Sequence, residues 1–384
     1  MSTRIILYKQ ADLERVDWPD TEDGRYARAF LEPMLRDGAD SYIRNVDTKL
    51  NVLRMDDLIL PVTVNDGEYE NAYVCSPYTH YIRYAKRELE LLNRPAMEKS
   101  LSVLLDAMGY WMKRSQLNRV VHMNNWLLST NLYPRFSGDQ AGAVLQAARE
   151  AFPGHAILFR SLSSSLHPEI IAALRAEGCK LVPSRQIYLY HSGDPAFGNA
   201  KARWLLKRDY ELLEKNGYAF VSAADMTDED IPRIVELYGM LYLEKYSYDN
   251  PQFNEAFIRL AKQSGTLTLY GLRKDGRLDA VMGYFARNGT MTTPLFGYDT
   301  SLPQSVGLYR MLSACLLRQA RESGHLLHES AGAAQFKRNR GAIADMEYTA
   351  VYDKHLPVGR RWCWSLLDRL LNGVGVPLMR RLKL

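Results

Sequence analysis

The stretch His325-Leu-Leu-His-Glu-Ser-Ala-Gly-Ala-Ala-Gln-Phe-Lys-Arg-Asn-Arg-Gly341, followed by Met346-Glu-Tyr-Thr-Ala-Val-Tyr352, decides how this chain is read. A short apolar strand ends on polar residues, and a basic turn carrying Phe336, Lys337, Arg340 and Gly341 follows. An alternating strand from Glu347 to Tyr352 closes the unit. Strand ends that deliver charged groups beside a glycine turn are where open α/β sheets bind ligands. Alternation sets His328 and Glu329 on opposite faces, so only one of them can face a given cleft.

Upstream of this unit lies a helix with Leu308, Met311, Leu312, Cys315 and Leu316 on its core face, stopped by Gly324. Before it come three strands over 267–273, 278–287 and 290–298, joined by Lys274-Asp-Gly276 and Asn288-Gly289, strong short-range hairpin signals. Pro294 cannot donate to a ladder, so it is expected at an edge or a bulge. A strand over 218–222, a helix capped by Thr227-Asp-Glu-Asp230 and a second helix over 254–263 open this half.

The first half repeats the order of elements less clearly. A strand over 5–8 and a helix over 25–35 lead into strands over 50–55, 58–64 and 69–75, with Asn65-Asp-Gly67 read as a hairpin turn. Tyr78, Tyr81 and Tyr84 recur beside His80, Arg83, Lys86 and Arg87, either as an amphipathic helix with solvated cations or as a phosphate contact. Residues 95–111, with Met97, Leu101, Leu104, Leu105, Met108 and Trp111 at helical spacing, read as a core helix. His122, Asn124 and Asn125 follow a strand start at Val120 and are either a satisfied loop or a wall of an acceptor pocket. Ser137-Gly-Asp-Gln140 is a capping box, and strand 156–159, helix 168–176 and strand 185–190 close the half. The turn His191-Ser-Gly-Asp-Pro195 is the joint, and a charged helix over 201–215 stops at Asn216-Gly217.

At 384 residues the chain exceeds the roughly 250 to 300 residues that one core usually serves. The expected domains are 1–195 and 196–355, followed by a basic amphipathic tail, 356–384. With 47% hydrophobic and 24% charged residues it reads as an ordinary globular chain. Four cysteines without CxxC spacing, and no apolar leader at the start, point to a reducing cytoplasm. No run nears the roughly 20 apolar residues of a membrane span. The net charge of +5 does not by itself imply nucleic acid. There is no HExxH, CxxC pair or P-loop, so no metal is expected, and Ser161-Leu-Ser-Ser-Ser165 lacks a GxSxG context. The tail, with Trp362, Trp364, Arg380, Arg381 and Lys383, either docks its tryptophans on its own domain or a second subunit, or makes peripheral membrane contact through 360–384. The residues imply no oligomeric state.

The order helix, helix, three antiparallel strands, glycine-bearing loop, helix, strand, short helix, strand resembles the GNAT acyltransferase fold. The turn Phe336-Lys-Arg-Asn-Arg-Gly341, preceded by His328-Glu-Ser-Ala-Gly332, resembles the FemAB-type branch, which pairs two GNAT-like domains in one chain. The resemblance covers 218–353 well and 1–190 as a degenerate first copy. It implies an α/β chain with a mixed sheet and two GNAT-like domains in tandem. In that family a loop reading Gln/Arg-x-x-Gly-x-Gly/Ala holds the pyrophosphate of coenzyme A on backbone amides at a helix start. Gln304-Ser305-Val306-Gly307-Leu308-Tyr309 matches it at Gln304 and Gly307, with Tyr309 where a small residue is usual. FemAB-type enzymes draw on aminoacyl-tRNA, and the lysine of their Phe-Lys motif, matched by Lys337, is implicated in acyl transfer.

Amide formation needs a neutral amine, a held carbonyl, charge near the developing oxyanion and a proton for the leaving group. The candidates are Lys337 for oxyanion charge, Glu329 or His328 as general base, and Tyr298 or Tyr348 as proton donor. Phe336, Arg340, Tyr298, His122, Asn124 and Asn125 are candidate substrate contacts; Arg340 is alternatively an ion-pair partner of Glu329. The expected activity is N-acyl transfer to a small-molecule amine held between the domains. No cofactor is permanently bound; acyl-CoA, an acyl-carrier protein or aminoacyl-tRNA is the donor. The competing reading is a non-catalytic GNAT-like ligand-binding or scaffold module.

Overall fold

The structure is a computed structural model, and it describes residues 4–90, 95–194 and 197–377. Pro195 of the joint, the Met97 side chain and the tail from 378 onward, with Arg380, Arg381 and Lys383, lie outside the described residues.

Apolar alternation and β-branched residues build strands β1 (Ile5–Tyr8), β2 (Lys49–Met55), β3 (Leu58–Asn65), β4 (Val120–Met123), β5 (Ala156–Ser163) and β6 (Lys180–Tyr190) in the first half of the chain. The second half supplies β7 (Ala219–Ser222), β8 (Thr268–Lys274), β9 (Arg277–Arg287), β10 (Thr290–Tyr298), β11 (Leu326–His328) and β12 (Ile343–Tyr352). All twelve form one mixed sheet in the order β1-β2-β3-β4-β5-β12-β6-β11-β10-β9-β8-β7.

From either edge inward the pattern is the same, three antiparallel pairings and then one parallel pairing, β4 with β5 and β10 with β11. The sixth strands then change places. β6 pairs with β11, β12 pairs with β5, and the two run antiparallel against each other at the centre.

The two parallel pairs also end alike. Their registers stop at Met123 opposite Phe159 and at Thr292 opposite His328. Two residues later stand Ser161 at φ 61° and Ser330 at φ 55°, each preceded by a charged residue, Arg160 or Glu329. Leu158-Phe-Arg-Ser161 and Leu327-His-Glu-Ser330 therefore occupy matching places.

Helices cover both faces. On one side α4 (Gly138–Ala151) and α5 (Pro168–Ala176) pack on the first strand set, and α6 (Ala200–Asn216) and α9 (Leu308–Ser323) on the second. The Ser137 capping box opens α4 as its sequence requires. The opposite face carries α1 (Glu22–Asp37), α2 (Tyr84–Glu90) and α3 (Pro95–Arg114) in the first half, then α7 (Asp230–Tyr238) and α8 (Glu255–Gln263). There a single apolar cluster runs from α1 through Trp126 to α7 and α8, crossing between the strand sets. The short α10 (Ala334–Asn339) and the C-terminal α11 (Val358–Leu370) complete the fold.

Three expectations are corrected. Residues 69–75 form turns, because the Glu68 carboxylate takes the amides of Asp66 and Gly67 and the Asn65 side chain, and β3 pairs with β4 instead of a hairpin partner. The helix over 95–114 is core on one side only: Leu105, Met108 and the buried Met112 pack on an apolar cluster, while Leu104 and Trp111 are 55% and 57% exposed. Strand β5 runs past Phe159 to Ser163 across a bulge, carrying Arg160 inside. Pro294 does lie in a bulge, where the β10–β9 register slips between Thr292 and Leu295. The tail tryptophans dock on the chain itself: Trp364 is buried 6.4 Å from Tyr81, and Trp362 Nε1 donates to Ser115 Oγ at 2.8 Å.

Candidate functional site

After β10 the chain turns on Asp299, whose buried carboxylate accepts from Ser301, from Arg233 Nη2 at 2.6 Å and from Arg277 Nη2 at 2.8 Å. Burial alone would raise its pKa, and Ser301 and Arg233 outweigh that and hold it below the usual range. The turn delivers Gln304 to Gly307 at the start of α9. Gly307, at φ 80°, lets the chain swing into the helix, and Asn216 Nδ2 pins the loop by donating to the Val306 carbonyl at 2.9 Å.

A cleft of about 300 Å³ opens here, lined by Gln304, Gly307, Leu308 and Tyr309 on the loop side and by Tyr298, Phe336, Ala333, Lys245 and Tyr246 across from it. The first amides of a helix lack intrahelical acceptors, so the start of α9 presents N–H groups and a positive dipole end to this space. The sequence placed Gln304 to Tyr309 together with Tyr298 and Phe336, and the structure brings these residues together. It adds Lys245, which donates to Tyr298 at 3.3 Å and otherwise stands exposed. Lys245 and Tyr246 lie on a π-helical turn, Gly239–Tyr246, that continues α7; only their aromatic-basic clustering with Tyr242 marks them in the sequence.

Tyr309 does not crowd the loop. Its ring turns inward against Phe336 (4.8 Å), Phe296 (5.8 Å) and Tyr298 (6.1 Å). Burial raises its hydroxyl pKa, and the nearby Glu329 charge adds to that, so it stays protonated.

The turn after β11 is built from inside. Lys337 is buried, and its ammonium donates to the carbonyls of Glu329 (2.6 Å), Ala331 (2.8 Å) and Ser330 (3.3 Å). All three of its protons are engaged with backbone. Burial lowers its pKa to about 8, against the field of Glu329. Arg340 lies over the Phe336 ring, 3.3 Å from its centroid, and its fork closes on Asp209 of α6, not on Glu329. Gly341 at φ 96° completes the turn where a Cβ would stand 2.3 Å from the Phe197 carbonyl oxygen.

His328 and Glu329 do point to opposite faces. Glu329 shares its face with Lys337; its Oε1 is enclosed without a partner, and burial lifts the carboxyl to about 7 against the pull of Lys337 and Arg340. His328 is buried on the other face, its Nδ1 accepting from the Ser330 amide at 3.2 Å and its Nε2 3.5 Å from Glu347. Tyr348, adjacent to Glu347 on β12, packs with the α4–α5 layer, away from the cleft.

His122, Asn124 and Asn125 are all buried far along the sheet from this cleft. Asn124 donates to the Leu132 carbonyl and accepts from Trp126 Nε1 and Arg287. Asn125 donates to Thr63 and the Val74 carbonyl and accepts from Leu127. These two amides hold a loop, with Asn124 and Leu127 at positive φ. His122, by contrast, keeps Nδ1 without a partner. The described residues contain no cluster of His, Cys, Asp or Glu able to hold a metal ion, and no helix among them is long and apolar enough to cross a membrane.

Among curated protein sequences nothing matches this chain. Solved structures that resemble it include L-PGS from Bacillus licheniformis, at 17% identity, TM-score 0.44, over 59% of this chain and 75% of that one. FemX aligns at 10% identity and TM-score 0.44 over 60% of this chain and 79% of its own. A tandem GNAT protein from the clavulanic acid biosynthesis pathway aligns at 10% identity and TM-score 0.40 over 92% of this chain and 99% of its own. Residues 200–338 match the family model described as an acetyltransferase (GNAT) domain, the segment that carries β7 to β11, the loop at the start of α9 and the turn with Lys337. Residues 200–338 are thus similar to a GNAT acetyltransferase domain.

Proposed function

We propose that this protein is an N-acyltransferase that moves an activated acyl group onto an amine. The observation that carries the reading is the shared cleft: the amide-bearing start of α9, Tyr298 and Phe336 line one space, and the turn that supplies Phe336 is the one Lys337 ties to the Glu329 carbonyl. A carboxyl with a pKa near 7 is matched to accepting a proton from an amine near neutral pH.

The chemistry follows from these groups. The amides from Gln304 to Tyr309 and the Lys245 ammonium suit the phosphates of coenzyme A, a donor that supplies an activated thioester when bound. Glu329 accepts the proton as the amine nitrogen forms its bond to the acyl carbon. In this reading Tyr309, which burial keeps protonated, gives its proton to the departing thiolate as the carbon–sulfur bond breaks. Lys337 acts by holding the 329–331 carbonyls in place, because its protons are already committed. Two GNAT-like domains in tandem, with the acceptor between them, accommodate this division of labour.

The test is a donor screen with acetyl-CoA, longer acyl-CoAs, acyl-carrier protein and aminoacyl-tRNA against a broad amine panel, read by mass spectrometry. Coenzyme A should raise the melting temperature in a concentration-dependent way. Transfer from aminoacyl-tRNA alone would move the assignment to FemAB-type chemistry. No transfer from any donor, with ligand-induced stabilisation, would leave a non-catalytic binding module.

A further inference from the structure

On the sheet face opposite α9, polar side chains stand across the central strands: His122 on β4, Arg160 on β5, Glu347 on β12, Arg185 on β6 and His328 on β11. Arg185 is 19% exposed at its side chain and the others are buried. The register sets Ser163 opposite Glu347 and Thr292 opposite His328.

Some of this row is internally paired. Arg185 holds Glu347 at 3.0 and 3.3 Å and also donates to the Ser129 carbonyl and Thr130. Ser184 bridges His80 at 2.9 Å to the same carboxylate at 3.4 Å. The rest is left open. Among the described residues Arg160, only 7% exposed, faces no carboxylate: its Nη1 donates to the Val74 carbonyl at 3.1 Å and Asn125 Oδ1 at 3.4 Å, and its Nε and Nη2 find no acceptor there. Its guanidinium lies 5.7 Å from the Tyr73 ring centroid. In the same row His122 Nδ1, Ser163 Oγ and Thr292 Oγ1 are enclosed without hydrogen-bond partners among the described residues, and His328 Nε2 has only Glu347, at 3.5 Å.

A buried guanidinium without a counter-charge is costly, and so is each enclosed polar atom left unpaired. With Glu347 already taken by Arg185, one positive charge remains uncompensated in the row. One planar monoanion balances it, and a carboxylate fits a guanidinium fork through two parallel hydrogen bonds. A dianionic phosphate would bring a second negative charge toward Glu347. The row also abuts the donor side, since β10 and β11 part beyond Thr292 and His328.

We propose that this row is the acceptor site and that Arg160 binds a carboxylate of the acceptor, which is therefore an amine that also carries an acid, as amino acids do. The proposal rests on the acyl-transfer reading for the word acceptor, and on the side-chain arrangement alone for the carboxylate.

The experiment pairs each common L-amino acid with its decarboxylated amine and its aminophosphonate analogue. It measures kcat/KM with the donor found above and, separately, the melting temperature of the full chain with each compound. The wild type should prefer acid over decarboxylated amine by at least about tenfold, and Arg160→Gln should erase most of that ratio. Arg160→Lys, which keeps the charge and loses the fork, should fall between them, and gives the same reading should the glutamine variant not fold. Equal use of acids and amines, a better response to phosphonates, or a ratio unchanged in the Arg160 variants would each overturn the carboxylate assignment while leaving acyl transfer standing. A stabilisation by acids that Arg160→Gln removes, with no transfer from any donor, would sustain the anion site and remove the catalytic reading.

Discussion

Asp209, fully buried on α6, takes both Nε and Nη2 of Arg340 on a single carboxylate oxygen, while its other oxygen takes Arg310 from the first turn of α9. One carboxylate thus ties together the turn after β11 and the helix start that faces the cleft. Asp209→Asn leaves one buried and one half-buried guanidinium uncompensated. Chemical denaturation should record a loss of about 3 to 5 kcal/mol, with a weaker coenzyme A response; a loss below about 1 kcal/mol would show that the pairing is not what holds the two elements.

Glu329→Gln removes the proposed base with little change in shape. Turnover at neutral pH should drop by roughly 10² or more. In the wild type, Glu329 must be ionised to accept a proton, so turnover should rise with pH through about 7. It should decline above about 8 as Lys337 loses the proton that holds its carbonyls. These limbs belong to the pair rather than to either residue. A variant that retains the rising limb would remove Glu329 from the role.

Lys337→Ala should lower turnover at least tenfold, about 1.4 kcal/mol of barrier. Because its ammonium serves three backbone carbonyls, stability should fall as well. Undiminished stability together with lost turnover would point back to a direct role at the oxyanion.

The second half of the chain was legible because its signals are local. Asn288-Gly289, Gly307, Gly324 and the Ile231–Tyr238 face each fix their own turn, cap or stripe within a few residues. The cleft at the start of α9 followed from the same local order. What the sequence concealed is long-range. Arg340 reads as a substrate contact or an ion-pair partner of Glu329 until Asp209, 131 positions away, comes against it. Arg160 looks like the first residue after a strand, and only the bulge in β5 turns it inward. Residues 69–75 have strand composition, yet β4 occupies the place beside β3.

Glu347 gives the chain an acid sensitivity. Burial alone would raise its pKa, and Arg185 and His328 outweigh that, holding it well below the ordinary 4.5. The carboxylate therefore stays ionised in the fold where the unfolded chain would be protonated. Its stabilising contribution is complete above about pH 4.5 and is lost as pH falls below that. Urea denaturation of the wild type and Glu347→Gln should show a stability gap that is largest near neutrality and narrows on acidification. A gap that widened in acid would contradict the pairing.

The exchanged central strands have a consequence for how the chain comes into being. Arg185 and Glu347, which meet across the β6–β12 ladder, are 162 positions apart. During synthesis β5 must wait with one side unpaired, and β6 with both, until nearly everything else has been made. Such late, distant closures slow folding and leave sticky edges exposed meanwhile. Severing the chain between β6 and β7 would give two fragments that each carry the other's missing strand, and co-expression, rather than either piece alone, is the way to recover a folded protein from them.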